Sequence, residues 1–162
     1  MQKVLYAVLL SVILFSSCSD DKDKTLEEGI SGNFKEVKVL ITRTSNNHSL
    51  FNGGTILTIP ASKSNTQYNE KDFDSVLGDD DNLMLAKLNE PLTAKQEFTI
   101  KQKSVKIQVV DTPQLLDTVD PDTEELDLKT KIEIFVNEKL VKSETYVFSE
   151  HSIPNILQYE KQ

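Results

Sequence analysis

Apolar residues recur at every second position in three separate stretches, and that spacing confines most of the chain to extended structure. Val37, Val39 and Ile41 alternate with Lys38 and Thr42, and Val105, Ile107 and Val109 alternate with Lys106 and Gln108. Leu128, Thr130, Ile132, Ile134 and Val136 share one face of a third run. Side chains alternate across a strand, so a period of two puts one set in a core and the other in water; a helix needs a period of 3.6. Shorter β-branched or apolar runs lie at 55–59, 73–77 and 97–100. Residues 140–148 return from 128–136 through a turn at Asn137, Glu138 and Lys139, the strongest hairpin signal present. Residues 83–88 are ambiguous. Leu, Met, Ala and Lys favour a helix that Asp81 would cap. A strand would instead put Leu83 and Leu85 on one face and Met84, Ala86 and Leu88 on the other.

Polar segments separate these runs. Asn46, Asn47, Asn52, Gly53 and Gly54 mark a loop, 61–71 is polar, and 78–82 is an acidic turn. Residues 111–127 read as a long acidic insertion with Pro113 and Pro121, and 151–162 as a tail in which Pro154 prevents a regular start. About seven strands without a long helical period predict an all-β fold, a single antiparallel β-sandwich over residues 33–162. Within it, LMLAKLNEPLTAKQEFTIK (83–101) resembles the strand–proline–strand step of bacterial immunoglobulin-like domains. There a strand ends at Pro-Leu, crosses over, and an aromatic opens the next strand. Pro91-Leu92 and Phe98 occupy those places, and Lys95 stands where such domains usually carry glycine. The resemblance implies strand for 83–88 and an immunoglobulin-like form of the sandwich.

The first eighteen residues, MQKVLYAVLLSVILFSSC, carry a different message. Lys3 makes a positive start, 4–15 is apolar, Ser16 and Ser17 are small, and Cys18 is the sole cysteine. An apolar core of about a dozen residues suits an export signal and falls short of the ~20 a membrane span needs. The segment resembles the lipobox of bacterial lipoproteins, with Phe15 where leucine is commoner. The resemblance implies removal of residues 1–17, a diacylglycerol thioether on Cys18 and often a third chain on its amine. Two or more acyl chains anchor a protein stably where one does not. Ser19, Asp20, Asp21, Lys22 and Asp23 resemble the acidic surface-export signal of Bacteroidota-type lipoproteins, which implies display on the outer face of the outer membrane. By composition alone they read as a solvated linker. Residues 18–32, with Gly29, Ser31 and Gly32, form the expected flexible tether.

A net charge of −8, more negative once Lys3 is removed, argues against nucleic acid as a partner, because phosphate backbones need a basic patch. No G-x-S-x-G or S-x-x-K nucleophile motif is present. His48 and His151, the two histidines, stand apart without a second His or Cys nearby, which argues against zinc. Two acidic clusters offer oxygens for calcium: Asp79, Asp80, Asp81 and Asn82, and Asp117, Asp120, Asp122 and Glu124. Neither has the glycine of an EF-hand loop, and both read as solvated loops. No catalytic residue, metal or cofactor is therefore expected. Asp74-Ser75-Val76 and Asp117-Thr118-Val119 resemble the Asp-Ser/Thr-apolar acceptor for O-glycosylation in exported Bacteroidota proteins, making Ser75 and Thr118 candidate sites. The function expected is a surface-exposed, lipid-anchored, non-catalytic binding or assembly module, held to the membrane through Cys18 and engaging a protein or glycan. The alternative is an envelope inhibitor or immunity lipoprotein blocking a toxin or lysozyme-like enzyme, whose basic surface an acidic chain would complement.

Overall fold

Val37, Val39, Ile41, Val109, Ile132 and Ile134 are each fully buried, so the alternating pattern does separate a core from solvent. The computed structural model describes residues 33–61, 63–79, 81–120, 126–148 and 154–161, which fall within one compact unit, Gly32–Gln162. The lipobox-like segment, Cys18 and residues 19–23 lie outside the described residues. Ten strands are present among those described: β1 (Lys35–Thr44), β2 (Phe51–Ile59), β3 (Thr66–Tyr68), β4 (Ser75–Gly78) and β5 (Leu83–Asn89), then β6 (Lys95–Gln102), β7 (Lys106–Leu115), β8 (Lys129–Val136), β9 (Lys139–Val147) and β10 (Asn155–Glu160). Among the described residues, helix is limited to three single 3-10 turns.

The strands form two five-stranded antiparallel sheets. Sheet I has the order β3-β6-β1-β8-β9 and sheet II the order β10-β7-β2-β5-β4. β1 is central in sheet I, with Val39 opposite Phe98 and Ile134. β2 is central in sheet II, with Leu57 opposite Leu85 and Val109. These inward rows make the main core, to which Phe73 adds a ring stacked on Phe98 at 5.3 Å. A smaller cluster of Phe51, Leu92 and Leu128 fills one end of the sandwich. The chain enters at the opposite end, where Lys35 faces Gln102 and the Gln102 amide donates to the Lys106 carbonyl.

The all-β sandwich is as expected, and residues 83–88 are strand. Pro91-Leu92 does mark the crossing from sheet II to sheet I, with Leu92 and Phe98 buried. The strand order is not that of an immunoglobulin domain, in which the first two strands share a sheet; here β1 and β2 lie in different sheets. Four sequence boundaries are corrected. Asn52, Gly53 and Gly54 belong to β2 and not to a loop, because a side chain at inward-facing Gly53 would meet Thr112 O at 2.7 Å and Leu92 Cδ1 at 2.9 Å. β7 runs on to Leu115, so the acidic connection starts later than Asp111. Its Pro113 is tolerated because β10 stops pairing at Asn155–Asp111, leaving the missing amide without a strand to serve. The supposed tail contains β10, and the polar 61–71 segment contains β3, where Tyr68 packs edge-on against Phe73.

The β8–β9 hairpin turns on Asn137 and Glu138, both left-handed at φ 47° and 66°. That is the pairing a two-residue type I′ turn requires. Asn137 also exchanges bonds with Glu36, accepting from its amide through Oδ1 at 3.0 Å and donating its own amide to the Glu36 carbonyl at 2.9 Å. On one flank, the Tyr146 hydroxyl of β9 reaches the Ile156 carbonyl of β10 at 2.7 Å and Glu144 Oε2 at 2.8 Å. Burial and the neighbouring carboxylate push this phenol well above its usual range.

Candidate functional site

The two outer faces of the sandwich differ in chemistry. Outward positions of sheet I carry Lys38, Lys95, Glu97, Lys131 and Glu133, joined in ion pairs such as Lys131–Glu133 at 2.7 Å and Lys38–Glu97 at 3.7 Å. That face is solvated, and exposed pairs of this kind contribute little to stability. Sheet II is different. The register sets Ser75, Ala86, Ile56, Val110 and Ile156 in one outward row across all five strands. The next row is Leu77, Met84, Thr58, Gln108 and Gln158. Neither row contains a charged residue, in a chain of which 27% is charged. Leu77 and Leu88 are each 62% exposed, Ile156 45% and Met84 39%. A contiguous exposed apolar patch rimmed by polar groups marks an interaction surface, whereas scattered apolar residues do not.

The rim is charged and ordered. Asp74 accepts from Lys87 Nζ at 2.9 Å and from the Leu88 amide at 2.8 Å on one side. Lys106 and Glu160 pair at 3.1 Å on the other. Between that pair and Thr58, Gln108 and Gln158 runs an open cleft of about 190 Å³. Pockets that enclose small molecules run to ~300–1,000 Å³, so the face is shaped for broad contact and not for engulfing a ligand.

Beneath the face lies a polar layer that the sequence reading missed. Arg43, the only arginine, is the last inward residue of β1, and Asp111 follows Ile107 and Val109 on the inward side of β7. They form an ion pair across the sheets with both side chains fully buried. Arg43 also donates to the Thr93 carbonyl at 3.0 Å, Gln96 Oε1 at 3.2 Å and Thr55 Oγ1 at 3.3 Å. Asp111 further accepts from Thr55 Oγ1 at 3.2 Å. Only the planar guanidinium fork reaches several acceptors at once; a lysine here would not. The layer separates the main core from the Phe51 cluster and fixes how the sheets align.

The remaining candidates are scattered. Ser75 is exposed on edge strand β4, at the margin of the uncharged face. Thr118 is exposed in the turn after β7, so the two O-glycosylation candidates are not brought together. His48 is half-buried, with Nε2 3.1 Å from the Arg43 carbonyl; His151 lies outside the described residues. Asp79 is folded back on its own turn, accepting from the Asp81 and Asn82 amides at 2.9 and 2.8 Å. Asp80, Asp122 and Glu124 lie outside the described residues. Among those described, no three His, Cys, Asp or Glu residues converge as metal ligands.

Asp74, Asp79 and Asp127, which holds the Ser45 hydroxyl and the Asn46 amide, act as loop clasps. The Lys87 ammonium and then the Leu88 amide lower the Asp74 pKa, the Asp81 and Asn82 amides lower that of Asp79, and the Ser45 hydroxyl and Asn46 amide lower that of Asp127. A group depressed in the folded state binds fewer protons there than when unfolded. Its contribution is therefore complete above the unfolded value and lost as pH falls through the folded one. The Asn46, Asn82 and Leu88 amide resonances are expected to titrate with midpoints below the ~3.9 of an unperturbed aspartate. Midpoints at or above that value in an NMR titration would contradict the clasps.

No family model matches the chain, and no curated protein matches it. Solved structures that are similar include the calcium-bound form of a protein from Parabacteroides distasonis, determined by NMR, at 14% identity and a TM-score of 0.45, covering 81% of this chain and 96% of that one. Another is the crystal structure of a DUF4425 family protein from Bacteroides ovatus, at 14% identity and a TM-score of 0.41, covering 78% of this chain and 94% of that one.

Proposed function

We propose that the chain is a lipid-anchored, non-catalytic binding or assembly module of a bacterial outer membrane, facing the cell exterior, and that it docks through the outer face of sheet II. The observation that carries the docking reading is the pair of uncharged rows spanning five strands, set against a charged opposite face. The anchoring reading is carried by the lipobox resemblance at Cys18 and the acidic run Ser19–Asp20–Asp21–Lys22–Asp23. The described domain supplies no helix long and apolar enough to cross a membrane. Retention would then depend on the acyl chains alone, at ~0.8 kcal/mol per buried methylene.

Cys18→Ala, expressed as the full chain, is expected to move the protein from the membrane pellet to the soluble fraction, while the wild type stays with outer-membrane vesicles. Continued sedimentation of the variant with membranes would overturn the anchoring. Protease treatment of intact cells tests orientation: a surface-displayed domain is cleaved or released, and full protection contradicts outward display.

A further inference from the structure

We infer that the occupant of the uncharged face is a second copy of this chain, packed face to face about a two-fold axis parallel to β2. This rests on the reading of that face as a docking surface. Two copies at −8 each repel at most contacts, and the outward rows of sheet II are a place where they meet without charge.

The fold favours this symmetry. The chain enters at the end of the sandwich where Lys35, Gln102 and Lys106 lie, and the strands run from there to the Phe51 end. With the domain anchored as proposed above and its strands set along the membrane normal, the broad faces turn sideways, toward neighbours in the same leaflet. Two molecules in one leaflet are related by an axis along the membrane normal, hence parallel to the strands. That operation keeps strand direction and reverses strand order, laying β2 on β2, β5 on β7 and β4 on β10.

The rows then complement themselves. Ile56 meets Ile56, Ala86 faces Val110, and Ser75 faces Ile156, so small side chains lie opposite large ones. In the second row Thr58 meets Thr58, while the stems of Gln108 and Gln158 lie along Met84 and Leu77. Five strands at ~4.8 Å spacing and about five residues at ~3.4 Å give a face of roughly 400 Å². That matches the ~300–600 Å² of functional surface patches, and two such faces together bury roughly 800 Å², below the ~1,200 Å² of a stable complex. Such a contact is weak in free solution. Confinement to one membrane raises the effective concentration and makes it sufficient. The absence of Lys or Arg from both rows weighs against a bilayer as the occupant.

The test is photo-cross-linking in intact cells, with benzoylphenylalanine placed at Ile56 of the full chain and, separately, at outward-facing Thr99 of sheet I. The Ile56 probe is expected to yield an adduct of two copies of this chain, identified by mass, and the Thr99 probe none. Met84→Lys with Leu88→Lys should reduce that adduct by about tenfold or more through like-charge juxtaposition. If circular dichroism shows that variant misfolded, Gln158→Lys replaces it. An adduct to a different protein or to lipid from Ile56 overturns the second copy and leaves the docking surface standing. No adduct from Ile56 overturns both. Equal two-copy adducts from Ile56 and Thr99 report crowding and overturn the inference.

Discussion

Asp111→Ala is expected to lower the unfolding free energy by about 3–5 kcal/mol, because removing one member of a buried ion pair leaves the other charged without compensation. Domains of this size are stable by only ~5–15 kcal/mol, so the loss is a large share of the total. The orphaned group is Arg43, held between the sheets with no route to water, and Thr55 loses an acceptor at the same time. A buried pair is weak grounds for net stability, since both charges were first stripped of water. The informative comparison is therefore a double-mutant cycle. Arg43→Met with Asp111→Leu should cost clearly less than the sum of the two single losses. Arg43→Lys should not restore the wild-type value, because an ammonium cannot span Thr93, Gln96 and Asp111 together. Denaturant unfolding of the wild type, the four single variants and the double variant measures this. A loss below ~1 kcal/mol for Asp111→Ala would show that the pair is not as buried as its geometry says.

Phe51→Ala carries the second large effect, about 3–5 kcal/mol, from lost transfer energy plus the cavity left behind. Phe51 is fully buried, meets Phe148 edge-on at 5.1 Å, and gives its carbonyl to the Leu92 amide at 2.9 Å. The damage should be local as well as global. This cluster sits where β7 leads into the connection to β8, and the Leu116 amide is held there by the Leu50 carbonyl at 3.0 Å. Limited proteolysis should therefore accelerate within 116–127, while amides of β1 and β8 keep their relative order of protection. Uniform loss of protection without faster cleavage in that connection would refute the assignment of a separate cluster.

Much of the fold could be read from period-two spacing, because burial on one face is a local property of each strand. Val37, Ile107 and Ile132 each announced their side. The 128–136 and 140–148 hairpin was legible because its turn is local too. Positions that depend on distant partners were not. Gly53 and Gly54 looked like a loop because the chain gives no local sign that Leu92 needs the space. β10 was hidden by Pro154 and by the fact that its one neighbour, β7, lies far earlier in the chain. The buried ion pair did leave a signal: the series Val37, Val39, Ile41 continues to Arg43, and Ile107, Val109 to Asp111. Two opposite charges set in line with two inward apolar series mark a pair across sheets. The uncharged face showed itself only as ambiguity. Residues 83–88 carry apolar side chains on both sides, which blurred strand with helix.

The phenol of Tyr146 has a further effect. β10 is the last strand on its side of sheet II, and such rims are templates for foreign chains to add on as extra ribbon. With the Ile156 carbonyl already engaged, an incoming strand must first evict an aromatic ring. Strand addition past that border is disfavoured from the outset.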